Sequence, residues 1–347
     1  MIGTLTTPAG PVPRISGEWS RTDYWGEVKC RTSAYRNDYT IDPGLYAIGT
    51  PDNSSEVLAS ANYKLSFDML RRAVKGSNAW ILVLDTRGIN VWCAAGKGTF
   101  GTEELIRRIA VTGLERVVGH KRVIVPQLGA PGISAHAVSK RSGFRVLYGP
   151  VDAKDIPAYL EAGCKASPEM RTVRFTFLDR LVLTPMEVIP AMKKFPWFAL
   201  LILVLFGLRP SGILFSDALA GGLPFLLLGV LAVAAGAFFT PLLLPYIPFR
   251  SFAAKGWIAG VVTVFLSVNA NLFDAFHQMD RILLAAAYLF FPLAGSYIAL
   301  QFTGSTTFTG MSGVRKELKV ALPLYIVFSI VSFVLLLVFK LDQWRIL

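Results

Sequence analysis

The chain has 347 residues, is 53% hydrophobic with a mean hydropathy of +0.49, and carries a formal net charge of +12. That length allows two domains of ordinary size, and the hydropathy is too high for a purely soluble protein. The basic excess does not point to nucleic acid, because Lys and Arg form no stripe with interleaved aromatics; many flank apolar segments instead.

Three cysteines, Cys30, Cys93 and Cys164, are widely spaced and odd in number. They give no disulfide framework and no CxxC zinc site. An iron–sulfur cluster normally takes four thiolates, so none is expected in this chain. The opening run, Met1 to Pro8, has no basic start and no apolar stretch. It does not read as a signal peptide, and the first domain is expected in the reducing cytoplasm.

In chain order, residues 1–54 read as an N-terminal wrapping segment, since 1–45 are rich in Pro, Gly, Arg and Tyr without a sustained period. Residues 55–190 read as an α/β domain. Val57–Ala61 is a predicted strand and Leu65–Val74 a helix. Trp80–Asp85 is a short apolar run suited to a strand covered on both faces. Glu103–Val111 is an amphipathic helix, Arg122–Val125 a strand, Ala135–Arg141 a helix, Phe144–Leu147 a strand and Ile156–Ala162 a helix. Such alternation implies a Rossmann-like α/β domain with a largely parallel sheet. Ligands of such sheets bind outside the carboxyl ends of the strands. The loops to search are therefore Asn62-Tyr63-Lys64, Asp85 to Gly98, Pro126 to Gly132, and Tyr148-Gly149-Pro150.

The second loop carries the sharpest signal. Its ending, Ala95-Gly96-Lys97-Gly98-Thr99, imitates a phosphate loop but fails the motif: Val91 stands where the first Gly belongs, and Gly98 where Ser or Thr must follow Lys97. A short helix bounded by Asn90 and Gly98 fits better, since Asn favours the N-cap and Gly the positive φ of a helix end. Cys93 then sits in the first turn, where the helix dipole suits an anion, and Lys97 adds positive charge on the same face. Both suit a thiolate, the form that binds metal. Ala94 and Ala95 are small enough to let a large flat ligand approach the backbone. The residues alone reach a reactive or ligating thiolate in an α/β cleft.

Residues 191–347 read as a transmembrane domain of about five helices, over about 195–214, 219–244, 257–273, 282–302 and 320–339. Arg209 and Pro210 interrupt the first, and Gly221, Gly222, Pro224 and Gly236 are tolerable within the second. Lys193, Lys194, Arg250, Lys255, Arg315, Lys316 and Lys319 fall on one side; Arg209, Arg281, Lys340 and Arg345 fall on the other. The positive-inside rule then places the N-terminal domain inside and the C-terminus outside. Asp217, Asp274, His277 and Asp280 lie near span ends or in a loop, so anchorage is a simpler reading than transport.

The run Asn90-Val91-Trp92-Cys93-Ala94-Ala95-Gly96-Lys97 resembles the signature of the membrane-anchored corrinoid protein of microbial mercury methylation. Pro43-Gly44-Leu45-Tyr46, Ala61-Asn62-Tyr63-Lys64 and Gln127-Leu128-Gly129-Ala130-Pro131-Gly132 are similar to segments of the corrinoid-binding domain of the corrinoid iron–sulfur protein of acetyl-CoA synthesis. The resemblance covers roughly residues 20–185. The five-span tail matches the mercury-methylation family and not the soluble relative.

That resemblance implies a base-off, cobalamin-type corrinoid, with Cys93 as the lower axial ligand of its cobalt. It makes Asn90 to Lys97 the helix that presents the thiolate. It also implies that Asn62, Tyr63, Gln127, Gly129, Ala130 and Pro131 cradle the corrin edge. A thiolate beneath the cobalt favours leaving methyl as a carbanion or radical equivalent, which Hg(II) captures to give methylmercury. The implied partners are a ferredoxin-like protein with [4Fe–4S] clusters as reductant and a methyltransferase delivering methyl from a methylated folate. Two other readings stay open: a membrane-bound methyl carrier of one-carbon metabolism with a different acceptor, and a transporter with a regulatory thiol domain.

Overall fold

A computed structural model describes residues 1–270, 274–276, 279–305, 308–309 and 311–346. The chain divides into two compact units, Met1–Arg174 and Phe175–Leu347.

The first unit is built on a seven-stranded mixed sheet. Its strands are β1 (Gly3–Thr7), β2 (Gly10–Ile15), β3 (Gly44–Ile48), β4 (Val57–Ala61), β5 (Ala79–Leu84), β6 (Arg122–Val125) and β7 (Arg145–Tyr148). They lie in the order β1-β2-β3-β5-β4-β6-β7. The four strands β5-β4-β6-β7 are parallel, while β3 runs antiparallel to β5 and β1 antiparallel to β2. Helices α1 (Arg21–Thr32), α2 (Lys64–Ala73), α3 (Val91–Lys97), α4 (Thr102–Val111), α5 (Leu114–Val117), α6 (Ala135–Ser142) and α7 (Ile156–Glu161) complete the unit.

The central strand β5 shows why the sheet needs cover on both sides. Every residue of Ala79–Leu84 is buried. Trp80, Leu82 and Leu84 point into one core with Leu105, Ile109 and Val138 from α4 and α6. Ala79, Ile81 and Val83 point into the other with Phe67 and Leu70 from α2 and Tyr159 from α7. Alternation across a strand thus produces two cores from one apolar run. Each fully buried aliphatic side chain there contributes about 1.5–3 kcal/mol.

Residues 1–54 are not a wrapping segment. They supply β1, β2, α1 and β3 to the sheet unit. Pro11 and Pro13 hid β2, since proline reads as a strand breaker. They are tolerated because β2 pairs with β3 only at Arg14 and Ile15, so neither proline owes that neighbour an N–H. The other predicted strands and helices of this unit lie within two residues of the observed ones.

The second unit is helical. It comprises α8 (Phe177–Leu183), α9 (Pro185–Gly207), α10 (Phe215–Ala234), α11 (Thr240–Leu242), α12 (Phe252–Asn269), α13 (Arg281–Gln301) and α14 (Met311–Gln343). Five stretches are long and apolar enough to cross a membrane: Phe177–Gly207, Phe215–Leu242, Phe252–Asn269, Arg281–Gln301 and Ser312–Gln343. The first starts well before the predicted residue 195, because Thr176 and Asp179 form a capping box at its head. It ends where Arg209 and Pro210 turn the chain, and Arg209 pairs with Asp217. The end of the third predicted span, 271–273, and His277 lie outside the described residues.

Candidate functional site at the strand ends

Numbering from β4, the parallel strands run 2-1-3-4, so the strand order reverses between β4 and β6. In doubly wound sheets the ligand crevice opens at the carboxyl ends of the strands flanking such a reversal. Here those ends carry Asn62-Tyr63 after β4 and the 3-10 turn Gln127–Gly132 after β6. Between β5 and α4 stands α3, which bears Cys93.

Helix α3 is closed at both ends as its sequence demands. The Asn90 side chain accepts from Cys93 N at 2.9 Å. Gly98 caps the other end in the left-handed region at φ 79°. The outer face presents Trp92 and Cys93, partly exposed, with Gly96 and Lys97 exposed. Ala94 and Ala95 are 0% and 6% exposed and belong to the sheet core. Their small size therefore lets α3 lie close to the sheet. It does not open the backbone to a ligand, because in a helix only one face of consecutive residues can look outward.

The turn leading into α3 is held from two sides. Asn62 Oδ1 accepts from Thr86 N at 3.0 Å and from Gly88 N at 2.9 Å. The Thr86 hydroxyl lies 2.8 Å from the same oxygen and 2.6 Å from Ile89 O, its single proton serving one of them. On the opposite side, Glu104 Oε1 accepts from Asp85 N at 2.9 Å and from Arg108 Nε at 2.9 Å. Arg87 and Gly88 both sit at positive φ, 57° and 71°. A non-glycine residue in that region costs on the order of 1–3 kcal/mol and persists only where its surroundings impose it.

The predicted cradle residues divide in two. Asn62 is 7% exposed, with its oxygen committed to the turn. Tyr63 is partly buried, and its hydroxyl meets the Cys30 thiol. Burial first, then that thiol, push the Tyr63 hydroxyl well above its usual range. Gly129 is buried against the Phe100 ring, where a Cβ would meet Cδ1 at 3.0 Å. Gln127 and Ala130 are partly exposed, and Pro131 is exposed. A Cβ on Gly132 would press on the Phe100 carbonyl and sit 3.2 Å from Ala95 Cα, so this turn lies directly on α3. Tyr148 Oη donates to Ile133 O at 2.8 Å and ties the fourth loop to the same edge. Thr86, Glu104 and Arg108 were missed as parts of the site, since nothing local marks them.

The three thiols differ in setting. Cys30 is buried, while Cys93 and Cys164 are partly exposed. Burial pushes the Cys30 and Cys164 thiols up, away from the thiolate. Among the described residues no group of three or more His, Cys, Asp or Glu side chains is placed to hold a metal ion.

A family model described as CO dehydrogenase/acetyl-CoA synthase delta subunit matches residues 29–160. The chain is similar to acetyl-CoA decarbonylase/synthase complex subunit gamma from three archaea. Identity is 34% over 128 residues with Methanothermobacter thermautotrophicus, covering 36% of this chain and 28% of that protein. It is 28% over 145 residues with Methanopyrus kandleri, covering 41% and 31%. It is 30% over 131 residues with Archaeoglobus fulgidus, covering 36% and 27%. The matches thus span less than a third of each relative's length.

Proposed function

We propose that the first unit binds a corrinoid with Cys93 as the lower axial ligand of its cobalt, and that the reaction is methyl transfer to Hg(II), giving methylmercury. One observation carries the ligand assignment: Cys93 stands partly exposed on α3 at the strand ends, and among the described residues no group of three or more His, Cys, Asp or Glu side chains is placed to hold an ion. A bare ion would find fewer than three such protein donors there. A metal that arrives with its equatorial ligands in a macrocycle needs only one. The match to an acetyl-CoA synthase subunit over residues 29–160 supports the same cofactor, because the corrinoid iron–sulfur protein resembled by this sequence serves acetyl-CoA synthesis.

The residues available to hold the group are Trp92, Cys93, Gly96 and Lys97 on the outer face of α3, with Gln127, Ala130 and Pro131 on the neighbouring turn. Asn90 fixes the backbone of Cys93, and Ala94 and Ala95 seat the helix on the sheet. Lys97 is exposed one turn beyond Cys93 and adds positive charge beside the thiolate. When bound, the corrinoid would supply the methyl group, and an electron-rich sulfur donor from Cys93 would favour its release together with its electron pair. Capture of such a fragment by Hg(II) would give CH3Hg+ with mercury remaining Hg(II).

Recycling the cobalt would take low-potential electrons, and the three cysteines of this chain are one fewer than the four thiolates a cluster normally takes. A ferredoxin-like protein with [4Fe–4S] clusters is the proposed reductant, and a methyltransferase using a methylated folate the proposed donor. The five apolar helices support a multi-pass protein of the cytoplasmic membrane, with the sheet unit on the cytoplasmic side. The run Asn90 to Lys97 together with those helices favours mercury as acceptor. The similarity to acetyl-CoA decarbonylase/synthase subunits favours a second reading, a methyl carrier of one-carbon metabolism. Deleting the gene and supplying Hg(II) separates the two: methylmercury formation is expected to stop, and an unchanged yield would leave only the carrier.

A further inference from the structure

Asn62 has a different task from the one its loop position suggests. It directly follows β4, is 7% exposed, and its side-chain oxygen faces the turn Thr86–Gly88 rather than open space. The two backbone donors it satisfies belong to residues 24 and 26 positions further along the chain. Thr86 is itself fully buried, so its N–H has no access to water when that oxygen is removed. The turn also holds Arg87 and Gly88 at positive φ, a conformation that an unclamped chain would leave. Two residues after this turn comes Asn90, which caps α3 and fixes Cys93.

We infer that Asn62 is a positioning residue: as an acceptor it holds the turn that launches α3 and so sets where the Cys93 sulfur stands at the strand ends. Its side-chain oxygen makes a contact between the segments that follow β4 and β5. Glu104 secures the same turn from the α4 side by accepting from Asp85 N. The consequence for chemistry rests on the proposed ligation by Cys93; the clamp itself does not.

Two substitutions separate acceptor from donor. Asn62→Asp keeps an oxygen for the Thr86 and Gly88 N–H groups and removes the side-chain N–H donors. Asn62→Leu keeps the shape and removes the acceptor. In the full chain in detergent, peptide-resolved alkylation of Cys93 and amide exchange over residues 85–93 read the turn without any cofactor. Asn62→Leu is expected to accelerate both on the order of tenfold, the worth of one buried hydrogen bond, with β5 and β6 still protected. Asn62→Asp is expected to stay within about twofold of wild type. After reconstitution with a corrinoid, Asn62→Leu should shift the absorption spectrum toward that of Cys93→Ala, and Asn62→Asp should retain the wild-type bands.

Equal alkylation and exchange in wild type and Asn62→Leu would overturn the inference. So would an Asn62→Asp variant as perturbed as Asn62→Leu, because the side-chain N–H groups would then be what matters. A wild-type chain that binds no corrinoid would defeat the proposed function while the cofactor-free measurements still decide the clamp.

Discussion

The Asn90 side-chain oxygen accepts the Cys93 backbone N–H at 2.9 Å, so the residue that begins α3 also fixes the backbone of the candidate ligand. Helix start and sulfur position are therefore one structural event. Replacing Asn90 with Ala is expected to cost about 1 kcal/mol of local stability, while Asp or Ser should keep most of it. Amide exchange at residues 91–97 measures this, and equal protection in Asn90→Ala would contradict it.

Gly132 is the contact through which the turn after β6 rests on α3. A methyl group there would press on the Phe100 carbonyl and on Ala95 Cα, and neither belongs to a side chain that can swing away. Gly132→Ala is expected to lower stability by about 1–3 kcal/mol, the usual cost of overpacking. Denaturant unfolding of the purified protein should show it, together with faster alkylation of Cys93. Gly44, whose added Cβ would meet nothing within 4 Å and whose φ is not in the left-handed region, is the control for crowding.

The pH response of the first unit should be set by the cluster joining α1 to α2. Burial alone would raise the Asp23 carboxyl, but hydrogen bonds from Ser20, Arg71 and Lys64 outweigh it and hold the carboxyl far below the usual carboxylate range. A depressed carboxyl contributes stability above its unfolded value, near 3.9, which is lost as pH falls through the folded value. Burial likewise would lower the Lys64 ammonium, yet hydrogen bonds to Asp68, Tyr39 and Asp23 push it up to about 12. That contribution is fully present below about 10.4 and disappears as pH rises through about 12. Melting temperature against pH should therefore fall on the acid side in wild type, and Asp23→Asn should flatten that slope. An unaltered slope would remove Asp23 from the account.

Cys30 and Cys164 should behave differently under substitution. Cys30 is 1% exposed and bonded to the Tyr63 hydroxyl, so Cys30→Ser places a more strongly hydrated group in the core. Cys164 is only partly buried. Cys30→Ser is expected to lower the melting temperature more than Cys164→Ser, and neither should change any corrinoid spectrum. A spectral change with either would mean that Cys93 is not the ligand, or not alone.

The parallel core was legible because its strands are continuous apolar runs: Trp80–Asp85 suits a strand covered on both faces, and the observed strand is Ala79–Leu84. The hairpin β1–β2 was not, since Pro11 and Pro13 imitate a loop until the short reach of β3 is known. Helix α3 was readable from Asn90 and Gly98, whose roles are local. Asn62 was found as a site position, but the task of its oxygen was not legible, because its two backbone donors lie 24 and 26 residues away and meet it only through the β4–β5 register. Ala94 and Ala95 were misread for a related reason: smallness serves close packing as well as access, and burial decides which. The helical stretch that carries the first apolar span extends back to Phe177, ahead of the predicted 195, through a polar head with Asp179, Arg180 and Glu187 that hydropathy does not mark.

The most direct measurement is the absorption spectrum of the full chain reconstituted with a base-off corrinoid, recorded for wild type beside Cys93→Ala. The account predicts a wild-type spectrum with bands of sulfur-ligated cobalt that the alanine variant lacks, in a variant that still melts cooperatively. Superimposable spectra from the two folded proteins would contradict it.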